Sequence, residues 1–137
     1  MRAVFGKPVR LVHDRAAASA TTICIAFSHN LLESAAKPAG WEVLRLKAAD
    51  NPWPGSPVRQ AVVVTGSDVR GVIYAIYEFS HRFLKVDPFY WWTDHSPPRS
   101  ERVAVPANLD LRAGPPTFRY RGWFMNDEDL MTAWRPG

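Results

Sequence analysis

The chain has 137 residues, 47% of them apolar and 22% charged. Those values fit one globular domain of ordinary size and exclude a disordered or collagen-like polymer. Seventeen Lys and Arg against thirteen Asp and Glu leave a mild charge of +4, but the basic residues are scattered, so the clustered footprint of a nucleic-acid binder is missing.

No apolar run approaches the ~18 residues of a membrane-spanning helix, and no membrane partner is expected. Residues 1–20 lack a continuous apolar stretch and do not read as a secretory signal. Residues 9–13 alternate weakly, as a short strand would. Thr21 to Phe27 is a β-branched apolar run suited to a strand buried on both faces. The single cysteine, Cys24, sits inside it and reads as a small core residue; no intrachain disulfide is possible. A short helix is predicted from Asn30 to Ala36, closed by Gly40. Trp41 to Leu46 alternates like a strand. Asn51-Pro52-Trp53-Pro54-Gly55-Ser56-Pro57 is a loop. Gln60 to Thr65, carrying Ala61-Val62-Val63-Val64, is another buried strand.

Ser67 is a suitable helix N-cap, with Asp68 in the first turn. Apolar residues at Val69, Val72, Ile73, Ile76, Tyr77, Phe83 and Leu84 then follow helical spacing, which predicts an amphipathic helix over 67–84. Gly71 inside it costs roughly 1 kcal/mol relative to Ala and asks for a close packing contact. The core is expected to end near residue 86, with a last strand over Arg102–Val105 and a linker at Ala113-Gly114-Pro115-Pro116. Thr117 to Phe124 then alternates like the first strand of something new. Arg119 and Arg121, two apart, would share one face of that strand, but both read as scattered surface arginines.

These elements predict an α/β fold: a small mixed sheet carrying one long and one short helix, of α+β sandwich-like form. Seven of the twelve Pro lie from Pro88 onward, and four of the six Trp (Trp91, Trp92, Trp123 and Trp134) lie in the last 47 residues. Residues 1–112 are therefore expected to form one α/β domain, and 113–137 a linker and the first strand of a second domain, a barrel or an open α/β sheet.

Three groups could carry chemistry. Asp127-Glu128-Asp129 follows an apolar strand and offers carboxylates for acid–base work, although a helix start or solvated turn uses acids there too. Phe89-Tyr90-Trp91-Trp92 could stack on a sugar face or a base, or pack against a neighbouring domain. Gly66-Ser67-Asp68-Val69-Arg70-Gly71 joins a strand to a helix but lacks the spacing of a phosphate loop. His13, His29, His81 and His95 show no zinc-binding spacing, so no metal or cofactor is expected.

Several blocks together resemble glycoside hydrolase family 115: Gly66-Ser67-Asp68-Val69-Arg70-Gly71-Val72-Ile73-Tyr74, Phe89-Tyr90-Trp91-Trp92, Pro115-Pro116, and Tyr120-Arg121-Gly122-Trp123-Phe124-Met125-Asn126-Asp127-Glu128. The resemblance spans about residues 60–134. It implies the end of an N-terminal α/β domain and the first strand of a TIM barrel, in an α-glucuronidase that removes (4-O-methyl)glucuronic acid from glucuronoxylan by metal-free, inverting hydrolysis. Glu128 then matches a catalytic or substrate-site carboxylate, and Asn126 and Asp127 match substrate-binding neighbours. Val69 and Ala75 stand where the family has Lys and Gly, which points to a divergent branch. The rest of the barrel would lie beyond this chain, and the fragment alone would be inactive. Relatives in that family are often secreted or periplasmic, and a homodimer is compatible with the reading. The alternative is a non-catalytic carbohydrate- or protein-binding module built on residues 89–92.

Overall fold

A computed structural model describes residues 2–6, 21–26, 38–90 and 92–122. Within them run helix α1 (Arg2–Phe5), strands β1 (Thr21–Ala26), β2 (Leu44–Asp50) and β3 (Gln60–Gly66), helix α2 (Val69–Leu84) and strand β4 (Asp110–Ala113). The strands form one four-stranded sheet of order β1-β3-β2-β4. β1 pairs with β3 in parallel, and Cys24 sits opposite Val63. β2 pairs antiparallel with both β3 and β4. The expected small mixed α/β sheet with a long helix is therefore present. The strand expected over 9–13 and the short helix over 30–36 lie outside the described residues.

β3 is central, and its alternation sorts side chains to two sides. Val64 joins Leu46, Ala75, Phe79, Leu84 and Val4 in the core under α2. Ala61 and Val63 face the other way, against Trp53 and Val58. Trp53 thus anchors the Pro-rich 51–57 loop, and the Asn51 N–H donates to the Arg59 carbonyl at 2.7 Å to close it. Each large side chain so buried contributes about 1.5–3 kcal/mol relative to exposure.

α2 forms over nearly the predicted span, but its buried face is turned from the predicted one: Val69, Ile73 and Tyr77, expected on the apolar face, are exposed. It buries Gly71, Val72, Ala75, Phe79 and Leu84, and Phe79 meets Phe83 with ring centroids 5.3 Å apart. Its N-cap is Asp68, whose side chain accepts from the Gly71 N–H. That moves the cap one residue past the expected Ser67, which is buried in a different contact. The helix stops at Lys85, in the left-handed region at φ 57°, and the Val86 N–H donates to the Ser80 carbonyl at 3.1 Å. His81 and Arg82 in the last turn complement the helix dipole.

Five expectations shift. The second strand runs Leu44–Asp50 rather than 41–46, because Glu42 takes the left-handed region at φ 51° and cannot join a ladder. The core does not end near 86: Val103, Val105, Leu109 and Leu111 also pack against it. The last strand is Asp110–Ala113, not 102–105. Pro106 separates the two stretches, and Arg45 draws Asp110 to the edge of β2 with hydrogen bonds of 2.9 and 2.8 Å. The 113–116 stretch is no free linker: a Cβ on Gly114 would lie 3.0 Å from the Glu42 carbonyl oxygen. Residues 117–122 form no strand; they are held by a side-chain contact described next.

Candidate functional site

β4 runs with β3, since both oppose β2, so β1, β3 and β4 all end at one edge of the sheet, where β2 begins. The N-terminus of α2 opens at the same edge. Two glycines let the chain cross itself there. A Cβ on Gly66 would stand 2.2 Å from the Val72 nitrogen, and one on Gly71 would stand 2.4 Å from the Val43 carbonyl oxygen. Gly71 thus has the close packing contact that its position in a helix requires.

The 42–43 backbone is locked to the β3–α2 turn. The Ser67 N–H donates to the Val43 carbonyl at 2.9 Å, and Val43 returns its N–H to Ser67 Oγ at 2.9 Å. Asp68 uses both carboxylate oxygens: Oδ1 accepts from the Gly71 N–H at 2.8 Å and Oδ2 from the Glu42 N–H at 2.7 Å. Burial is the largest influence on the Asp68 carboxyl and pushes its pKa up. The backbone N–H groups of Glu42, Gly71 and Arg70 together outweigh it, so the pKa lies below the usual Asp range.

Glu42 is the centre of the site. Its side chain is 6% exposed, covered by two arginines at the surface rather than sunk in the apolar core. Arg70 donates to Oε1 at 2.9 Å, and Arg121 donates to Oε2. Arg121 also donates to the Tyr74 hydroxyl at 3.1 Å and to the Phe118 carbonyl. Its guanidinium lies 5.9 Å from the Trp41 ring centroid and 6.0 Å from that of Tyr74. The Arg121 hydrogen bond, then that of Arg70, holds the Glu42 carboxyl below its ordinary range. Among the described residues, every buried side-chain nitrogen and oxygen has a hydrogen-bond partner.

A hollow of about 330 Å³ opens beside this clamp, lined by Trp41, Glu42, Asp68, Arg70, Arg119 and Tyr120. Chemically it is a charge clamp. A carboxylate paired on both oxygens and held ionised has no proton to donate and little basicity to offer. Asp68 already occupies the helix N-terminus with a negative charge, which disfavours a phosphate there. No group of three or more His, Cys, Asp or Glu among the described residues could hold a metal. A larger hollow of about 700 Å³ lies at the other end of α2, between His81, Lys85, Asp87 and Leu109. Its one carboxylate, Asp87, accepts from the Phe89 N–H at 2.7 Å.

Asn126, Asp127 and Glu128 lie outside the described residues, as does Trp91. Of the aromatic cluster, Phe89 and Trp92 are exposed, at 58% and 86%. The sequence reading missed Glu42 and Arg70 and took Arg121 for scattered surface charge. One signal was present: Glu42 is a lone acid between apolar Trp41 and Val43, just ahead of a strand.

No family model matches the chain, and no curated protein matches it. What the fold itself defines is a small mixed α/β domain with a charge-clamped seam at one sheet edge. No helix among the described residues is long and apolar enough to cross a membrane.

Proposed function

We propose that this chain is the N-terminal α/β domain and barrel entry of a glycoside hydrolase resembling the family 115 xylan α-glucuronidases. The observation that supports the reading best is the Arg121–Glu42 pair. It ties the segment leading into Asn126-Asp127-Glu128 to the edge of the α/β sheet, as a domain that orients a following catalytic unit requires. In the complete enzyme Glu128 serves as one carboxyl, and Asn126 and Asp127 contact the sugar. One carboxyl protonates the leaving xylose oxygen while another, beyond this chain, activates water from the opposite face at the inverting separation of about 6.5–9.5 Å.

The test is a polypeptide extended through the barrel and assayed on glucuronoxylan. Release of (4-O-methyl)glucuronate, with Glu128→Gln lowering kcat at least about 100-fold, is expected. Full activity of Glu128→Gln, or release by the 137-residue chain alone, overturns the reading.

A second reading, a carbohydrate-binding module, is favoured by the exposure of Phe89 and Trp92. Saturable, salt-insensitive quenching of tryptophan fluorescence by xylan oligosaccharides, lost in Trp92→Ala, would support it. Steep salt dependence with single-stranded DNA would instead point to nucleic-acid binding.

A further inference from the structure

Arg121 fills a recess whose walls stand on other parts of the fold. Glu42 forms one wall. Its backbone is pinned by Asp68, which accepts from the Glu42 N–H at 2.7 Å. Arg70 takes Oε1 at 2.9 Å, so Oε2 is left facing Arg121. Trp41 and Tyr74, both half-buried, form the other walls. Their ring centroids lie 5.9 and 6.0 Å from the Arg121 guanidinium, at the reach of a cation–π contact. The Tyr74 hydroxyl accepts from the same group at 3.1 Å. A carboxylate, a hydroxyl and two rings suit the planar fork of a guanidinium better than the point charge of an ammonium.

The occupant is held differently from the walls. Tyr74 sits on α2, and Trp41 and Glu42 lead into β2. Residues 117–122 are exposed along their length and belong to no helix or strand. Withdrawal of Arg121 would therefore leave the walls standing, with a buried carboxylate that has lost one of its two charged donors. Such a group favours a replacement cation. We infer that Trp41, Glu42 and Tyr74 form a guanidinium cage, which Arg121 plugs from within the chain and which takes an arginine side chain of another polypeptide when the plug is out. The cage needs no sugar and no further domain, so it stands apart from the glycosidase reading.

Chemical rescue tests it. The full chain would carry Arg119→Ala and Arg121→Ala, so that neither arginine of the segment can fill the cage. Nα-acetylarginine amide should then shift the NMR signals of the Trp41 indole and the Tyr74 ring saturably. Nα-acetyllysine amide should bind at least about tenfold more weakly. Adding Glu42→Gln should abolish the arginine response. The parent chain gives a second measurement that needs no variant to fold. There the arginine compound should displace Arg121 and speed exchange of the 117–122 amides, while β3 amides hold and the lysine compound does nothing. Equal responses to the two compounds, in either chain, overturn the proposal, as does an arginine response that survives Glu42→Gln. Saturable shifts with methylguanidinium but not with the arginine amide also overturn it, by assigning the cage to a small free guanidine.

Discussion

Glu42 and Arg121 are separated by 79 positions in the chain and meet in a direct ion pair. A carboxylate at the start of the sheet thereby fixes a segment that follows the last strand. Arg121 makes three further contacts, to Tyr74, Phe118 and Trp41. A planar fork over an aromatic ring can satisfy them together, and an ammonium cannot. Arg121→Lys is therefore expected to behave almost like Arg121→Ala. In both, amides of 117–122 should exchange several-fold faster while those of β3 are unchanged. Parent-like exchange in the Lys variant would show that charge alone holds the seam.

Acid should weaken the domain through the same group. Glu42, Asp68 and Asp110 all have folded pKa values below their ordinary ones. The unfolded chain, with carboxyl pKa values of about 3.9–4.3, then binds more protons than the folded chain as pH falls. Stability from these groups is complete above the unfolded values and is lost as pH drops through them toward the lower folded ones. Urea midpoints should hold level above about pH 5 and fall from there to pH 3, and Glu42→Gln should flatten that slope. A midpoint that rises on acidification, or an unchanged slope in Glu42→Gln, would contradict the assignment.

The periodic elements were legible because their signals are local. The spacing of Val72, Ile76 and Phe83 gives α2 from sequence neighbours, and the Ala61–Val64 run gives β3. The clamp was not legible, because its members come from three distant stretches and each looks ordinary where it stands. Glu42 reads as one polar position in an alternating strand until its positive φ removes it from the ladder. β4 escaped for a similar reason: Asp110 to Ala113 has little strand character, and its place is set by an Arg45 on another strand. Trp53 hid in a Pro-rich loop whose composition says turn, although its ring covers the second face of the sheet.

Gly71 offers a test with opposing contributions. Replacing a helical Gly by Ala should gain roughly 1 kcal/mol from propensity. Here the new methyl would meet the Val43 carbonyl oxygen at 2.4 Å, a backbone atom pinned by Ser67. Overpacking of this kind costs typically 1–3 kcal/mol, and a fixed carbonyl places it toward the upper end. Gly71→Ala is expected to lose about 1–2 kcal/mol net in urea unfolding. A more stable variant would mean that the strand and helix can separate without penalty.

Asp68 joins two roles that substitution can separate. It caps α2 through Gly71 and holds the Glu42 backbone through its second oxygen. Asp68→Ala removes both, and caps of this type are worth about 0.5–2 kcal/mol. The Glu42 N–H would also lose its acceptor, at a further cost of about 1 kcal/mol if water cannot replace it. Asp68→Asn keeps one carbonyl oxygen for the cap but turns an amide N–H₂ toward the Glu42 N–H, so it should retain the helix and weaken the seam. Urea unfolding should therefore rank the parent above Asn and Asn above Ala. Exchange at the Glu42 amide should be raised equally in the two variants, and exchange at the Gly71 amide mainly in Ala. Equal exchange at Gly71 in both variants would show that the cap needs the charge of the carboxylate rather than an acceptor oxygen alone.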